Sequence, residues 1–257
     1  MKKTSLYFLL TYAFANLLFT NCQPKLAKTA SADESLSSVS AQNTLKEYEI
    51  YRKTKVKTQT VYRVDESGEK SLLKTSYFDT EGKLIKNEDL SGEGEIIGNY
   101  KYKNQLLQQQ TVTGTNLDDF TIYYEYDKNG QIVRQTMDGA EARIYSFVFN
   151  KDGYMMEMNG QSTVPEGDTL IWQETEKYKY GYDDNGNQTS YIFEMFGEEY
   201  FKVTSTYNAE NQRINSTDYM YGEVSFSTTF EYNQEGLLLK EIYTDSGNYL
   251  IYEYEFY

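Results

Sequence analysis

The chain has no histidine, one cysteine, one tryptophan and two prolines in 257 residues. Without histidine there is no ordinary general base near neutral pH, and no Ser-His-Asp or Cys-His nucleophile. The commonest zinc and copper ligand is missing too. The lone Cys22 can form neither an intrachain disulfide nor a thiolate cluster. Basic residues are also in deficit, 25 Lys and Arg against 39 Asp and Glu, for a net charge of −14. Such a surface repels phosphate backbones, so nucleic acid is not an expected partner. A mean hydropathy of −0.71 excludes a bundle of membrane-spanning helices. These deficits point away from an enzyme: no catalytic residue, metal site or cofactor is expected.

The chain is rich in aromatics, with 27 Tyr and 13 Phe. Tyrosine favours strands and has an apolar ring with a polar tip. With few prolines and regularly placed glycines, the composition predicts an all-β protein.

The N-terminus begins with Lys2 and Lys3, followed by fourteen largely apolar residues from Leu6 to Phe19. That length suits a secretory signal and is short for a membrane span of about 20 residues. The run ends at Phe19-Thr20-Asn21-Cys22, which resembles a bacterial lipobox. The resemblance implies cleavage before Cys22 and lipidation of that residue. Residues 1–21 are thus read as a lipoprotein signal peptide and 22–45 as a flexible tether rich in Ser and Ala. Residues 46–257 are read as a folded domain, strand and turn from Leu45 onward. The implied location is the bacterial cell envelope, at the outer membrane, through a lipid at Cys22.

Within that domain one phrase recurs: aromatic, any residue, aromatic, Asp or Asn, then a turn closed by Gly. Tyr124-Glu125-Tyr126-Asp127-Lys128-Asn129-Gly130 is the clearest copy. Others close at Gly82, Gly153, Gly186 and Gly236, and one places Asn211 where the Gly should be. Asn is the best non-Gly substitute at positive φ. Gly130 to Gly153 is 23 residues, and Gly186 to Asn211 and Asn211 to Gly236 are 25 each. Such a period accommodates one β-hairpin. The Asp or Asn can accept hydrogen bonds from the turn backbone, and the Gly can close a type I turn with a bulge. Aromatics two apart share one strand face, while Glu125, Glu231, Glu253 and Glu255 take the other. The predicted fold is a series of consecutive antiparallel hairpins in a twisted repeat sheet, with a partial barrel or short solenoid as its closed forms.

Tyr124-Glu125-Tyr126-Asp127-Lys128-Asn129-Gly130-Gln131-Ile132 also resembles the YD repeat of Rhs proteins, as does Phe78-Asp79-Thr80-Glu81-Gly82-Lys83-Leu84. The resemblance covers residues 60–257 and implies the repeat module alone, without a toxin domain.

Three sets of residues could do more than build hairpins. Asp183-Asp184-Asn185-Gly186-Asn187 could offer oxygens to calcium, but lacks the spacing of a calcium loop and reads first as a turn. Adjacent acids such as Asp118-Asp119 and Glu198-Glu199 point to opposite strand faces, so neither pair can flank a glycosidic bond. The third set lies where the period breaks. Gly153 to Gly186 is 33 residues and holds the only Trp, so Asp168 and Trp172 mark the candidate ligand-binding loop. The expected role is non-catalytic binding or scaffolding in the envelope, with a glycan or an envelope protein as partner. The alternative is a carbohydrate-binding surface lipoprotein serving glycan uptake.

Overall fold

The computed structural model describes residues 48–90, 94–115, 117–138, 143–166, 169–244 and 246–257. For residues 117, 164–166, 169 and 170 only the backbone is described. The signal, the tether, Cys22 and Asp168 lie outside these residues.

A short helix, α1 (48–54), precedes sixteen strands. The first four are β1 (Val56–Val64), β2 (Lys70–Phe78), β3 (Leu84–Asp89) and β4 (Ile96–Lys103). Then come β5 (Leu106–Gly114), β6 (Leu117–Tyr126), β7 (Ile132–Asp138) and β8 (Arg143–Phe149). They are followed by β9 (Met155–Glu166), β10 (Thr169–Tyr182), β11 (Gln188–Met195) and β12 (Glu198–Tyr207). The last are β13 (Arg213–Met220), β14 (Glu223–Tyr232), β15 (Leu238–Tyr243) and β16 (Tyr249–Phe256).

Each strand pairs antiparallel with its neighbours in sequence, and β1 pairs with β16, from Val56↔Phe256 to Val64↔Tyr249. The sheet therefore closes into a barrel. All-β consecutive hairpins are present as expected. The twisted repeat sheet and the short solenoid are corrected and the barrel alternative is extended to full closure, because β16 supplies the partner for β1.

The hairpin grammar is explicit at one rim. In the turn after β2, Gly82 N–H donates to Asp79 O at 2.9 Å. Asp79 Oδ1 accepts the N–H groups of Glu81 and Lys83, both at 2.9 Å. Asp127, Asn150, Asp183 and Asn208 each accept the same two bonds in their turns. Gly82, Gly130, Gly153, Gly186 and Gly236 all have positive φ, and Asn211 replaces Gly at φ 60°. A register shift then leaves one extra residue, as between Tyr77 and Phe78 where β2 meets β3.

Most bulges present a carbonyl that the next repeat uses. The phenols of Tyr102, Tyr126, Tyr182, Tyr207, Tyr232 and Tyr254 donate to the carbonyls of Leu84, Leu107, Met155, Gln188, Arg213 and Leu238, at 2.6–3.0 Å. Thus the second aromatic of the phrase ties each hairpin to the one before it. Each bond is worth about 1 kcal/mol net. Phe78 and Phe149 occupy the same place without a hydroxyl.

The aromatic face points inward. Tyr100, Tyr124, Tyr145, Tyr178, Tyr180, Tyr191 and Phe193 are buried in one core, with Tyr178 and Phe193 stacked at 4.9 Å. Fully burying such a side chain contributes about 1.5–3 kcal/mol. The outer face carries Thr, Lys and Glu: Lys86 pairs with Glu88, Lys70 with Glu253 and Lys179 with Glu194. Glu125, Glu231, Glu253 and Glu255 are exposed, as their alternation predicts.

Helix α1 corrects the expectation of strand from Leu45. Its buried Tyr48 and Tyr51 lie on one helical face, three residues apart, and Lys55 at φ 56° ends it. Tyr51 packs on Phe78 at 4.7 Å and on Tyr254 at 6.3 Å. Gln59 donates to both the Tyr51 and the Tyr254 hydroxyls, at 2.8 and 3.1 Å. The helix so braces the β1–β16 seam from inside, at the rim of Asp and Asn turns.

Candidate binding site at the irregular rim

The opposite rim follows no single rule. Its first turn, Asp65 to Gly68, keeps the Asp-to-Gly form. The β11–β12 and β13–β14 turns are two residues long, Phe196-Gly197 and Tyr221-Gly222. Both residues of each have positive φ: 52° and 85° in one, 52° and 81° in the other. Asn-Gly is the favoured pair for such a turn. A left-handed conformation costs a side-chain-bearing residue roughly 1–2 kcal/mol. Yet Phe196 and Tyr221 sit there with 66% and 64% of their surface exposed. Tyr221 meets Tyr200 edge-on at 4.7 Å, and Tyr200 meets Phe193 at 6.1 Å. Partial burial and the hydrogen bond with Tyr221 push the Tyr200 hydroxyl pKa up to about 12.

The long interval Gly153 to Gly186 becomes the two longest strands, β9 of 12 residues and β10 of 14. Their paired ladder runs on past the end of β11, because Met195 pairs with Glu176 while β10 continues back to Thr169. Trp172 stands on this projecting ladder opposite Thr163, 46% exposed. Of the two residues marked in the sequence, the structure therefore places Trp172 at the rim, while Asp168 is outside the described residues.

Below Trp172 the register shifts between Glu174 and Glu176. The bulge opens a shallow cleft of about 110 Å³, lined by Glu174, Thr175, Glu176, Lys177, Glu194 and Phe196 with Gly197. Phe196 N–H donates to Thr175 O at 3.0 Å, so the aromatic turn forms one wall. Lys177 lies 3.9 Å from Glu174 and 3.8 Å from Glu157. Trp172 and Glu174 are two residues apart on the strand, about 6.8 Å along one face.

The floor is anchored from inside. The Glu176 side chain is 7% exposed and pairs with Arg143 at 2.5 Å. It accepts hydrogen bonds from the hydroxyls of Tyr178 at 2.8 Å and Tyr145 at 3.1 Å. Burial and the carboxylate together push both phenols well above their ordinary pKa. Gly160 makes this possible, since a Cβ there would lie 2.7 Å from the Tyr145 ring.

Sequence reasoning passed over Phe196 and Tyr221. The signal was available: Met195-Phe196-Gly197-Glu198 and Met220-Tyr221-Gly222-Glu223 are the same tetrad, 25 residues apart. The calcium reading of Asp183 gives way to the turn. Its Oδ1 takes two backbone N–H groups, and its Oδ2 accepts from Asn187 Nδ2 at 2.9 Å. Among the described residues, no group of three or more acidic, His or Cys side chains is arranged to hold a metal ion.

No family model matches the chain, and no curated protein matches it. Solved structures do. A porin-like protein from Bacteroides uniformis ATCC 8492 superposes with a TM-score of 0.51 at 13% identity, over 79% of this chain and 98% of that one. A porin-like protein from Bacteroides vulgatus ATCC 8482 gives 0.47 at 12% identity, over 78% and 99%. The YD-repeat resemblance is overturned by these findings. Hairpin turns are common to an open repeat sheet and a closed ring, so the phrase marks the hairpin and not the Rhs family. The chain is an all-antiparallel closed β-barrel with the fold of the Bacteroides uniformis protein.

Proposed function

We propose that this chain is a non-catalytic binding protein of the bacterial envelope, tethered by lipid at Cys22 and presenting its irregular rim to a ligand. One observation carries this reading: lysines are spread over the outer face, while the interior is packed with buried aromatic and aliphatic side chains around the Arg143–Glu176 pair and Asp218. A barrel that spans a membrane needs an apolar outer band, and each Lys or Arg at mid-bilayer costs roughly 2–4 kcal/mol. Here Lys86, Lys101, Lys177, Lys179, Lys202 and Lys240 all stand on the outer face, several with a paired carboxylate. The inner face holds buried Leu107, Ile122, Tyr145 and Met155 where a pore would need water. This surface favours a rigid, water-facing scaffold over a conducting channel. The solved relatives' porin-like description does not by itself assign conduction to this chain.

Two measurements test the proposal. Purified protein should add no conductance to a planar bilayer; single-channel steps would overturn it. Cys22→Ala should move the protein from the membrane to the soluble fraction; unchanged fractionation would remove the lipid tether.

A further inference from the structure

We infer that the cleft walled by Phe196, together with Trp172 on the adjoining ladder, binds a neutral glycan chain, with Tyr221 extending the same track. The inference rests on the binding reading above and names the class of ligand.

The first support is an energetic conflict. Phe196 and Tyr221 occupy strained turn positions and remain largely exposed, even with Tyr221 edge-on to Tyr200, so conformation explains neither aromatic and burial accounts for little of either. The same Met-aromatic-Gly-Glu tetrad produces both. Residues that break local preference at an exposed tip are those whose role lies outside the fold.

The second is the mixture of groups. Phe196 offers a ring in the cleft wall and exposed Trp172 another, two residues along the strand from Glu174, while Glu174, Lys177 and Glu194 line the cleft. Sugars need that combination, with C–H faces to stack and hydroxyls to hydrogen-bond. A wholly apolar partner would have to strip water from three charged groups. An acidic glycan would meet a cleft with one Lys among Glu174, Glu176 and Glu194, on a chain of net charge −14.

The third is spacing. Successive hairpin tips on one rim are two strand separations apart, about 9–10 Å. The Trp172 stretch of the β9–β10 ladder and the tips of β11–β12 and β13–β14 therefore make a track for several sugar rings rather than one.

Trp172 is the only tryptophan, so fluorescence of the full-length protein under tryptophan-selective excitation reports on this site. Titration with neutral hexasaccharides (cello-, xylo-, manno-, malto- and chito-series) should give a saturable change with at least one of them. Oligogalacturonate and phosphatidylcholine vesicles should give none. Phe196→Asn and Tyr221→Asn should each weaken binding at least tenfold while raising the unfolding midpoint, because Asn suits the turn. That pairing separates lost binding from lost folding. Silence with every neutral hexasaccharide, by fluorescence and by calorimetry, would overturn the inference. So would saturation by oligogalacturonate or by vesicles, or self-association abolished by Phe196→Asn. None of these results bears on the conductance test, so the two readings fail separately.

Discussion

The two rims of the barrel are built by opposite rules. At one, Asp79, Asp127, Asn150, Asp183, Asn208 and Asn233 open turns of one kind, and a phenol from the next hairpin caps most of the bulges. Asn187 even bonds Asn211 of the adjoining turn at 2.8 Å. Only the turn at Asn104 and Gln105 departs, with both residues at positive φ. At the other rim, strand lengths differ, the ladder of β9 and β10 projects, and Phe and Tyr hold places that suit Asn. Uniformity shows where selection for folding suffices to explain every residue. Irregularity shows where it does not, and that is where a ligand is sought.

Six substitutions sharpen or break this contrast. The largest effect belongs to Glu176→Ala, under the irregular rim, which leaves Arg143 buried without its carboxylate. Loss of a buried partner costs about 3–5 kcal/mol, read as a drop in urea midpoint; a loss below 1 kcal/mol would make the anchor dispensable. Next is Gly82→Ala at the uniform rim. Its Cβ would lie 2.8 Å from Arg52 N and Tyr48 O, displacing α1, whereas Gly68 at φ 83° has open space. Gly82→Ala should cost about 2–4 kcal/mol and Gly68→Ala about 1 kcal/mol. Equal costs would show that the helix does not press on the turn.

Between the rims, burial raises the Asp218 carboxyl from 3.8 to about 6, Arg213 opposing and Glu241 adding to the shift. A carboxyl raised on folding is most stable protonated. Its contribution is complete below pH 4 and is lost as pH rises through 6. Asp218→Asn should therefore gain on the order of 2–3 kcal/mol relative to wild type at pH 8 and little at pH 4. A pH-independent difference would place the cause in packing. Tyr207→Phe removes one repeat-to-repeat bond to Gln188 O and should cost about 1 kcal/mol. The smallest change is Phe196→Asn, a gain of about 0.5–1 kcal/mol in thermal unfolding. A loss there would mean that Phe196 serves the fold after all.

Much of the uniform rim was legible in the sequence, because its rules act within about eight residues. Asp at the turn start, Gly at its close and aromatics two apart each satisfy a local energy, and Asn211 at φ 60° follows from the same logic. Closure was not legible. It depends on β1 finding β16, a pairing across some 190 residues that neither strand's pattern encodes. Helix α1 escaped for the opposite reason: at seven residues it is too short to show a period, and Tyr48-Glu49-Ile50-Tyr51 reads equally well as a strand. At the candidate site the broken period led to Trp172. Phe196 and Tyr221 remained hidden, since an aromatic before Gly is unremarkable until its φ is known.

The β1–β16 seam has a consequence for topology. Lys55 O accepts from Tyr257 N–H at 2.9 Å, so the start of β1 and the end of β16 lie side by side at one rim. A ring of neighbours joined only by short turns has no privileged first strand. A few added residues would link the ends, and a cut at the open turn of Gly68 would create new termini at the other rim without breaking any strand pairing. The order in which the sixteen strands are synthesised is thus separable from the shape they make. A circular permutant would keep the barrel while opening the chain at the opposite rim.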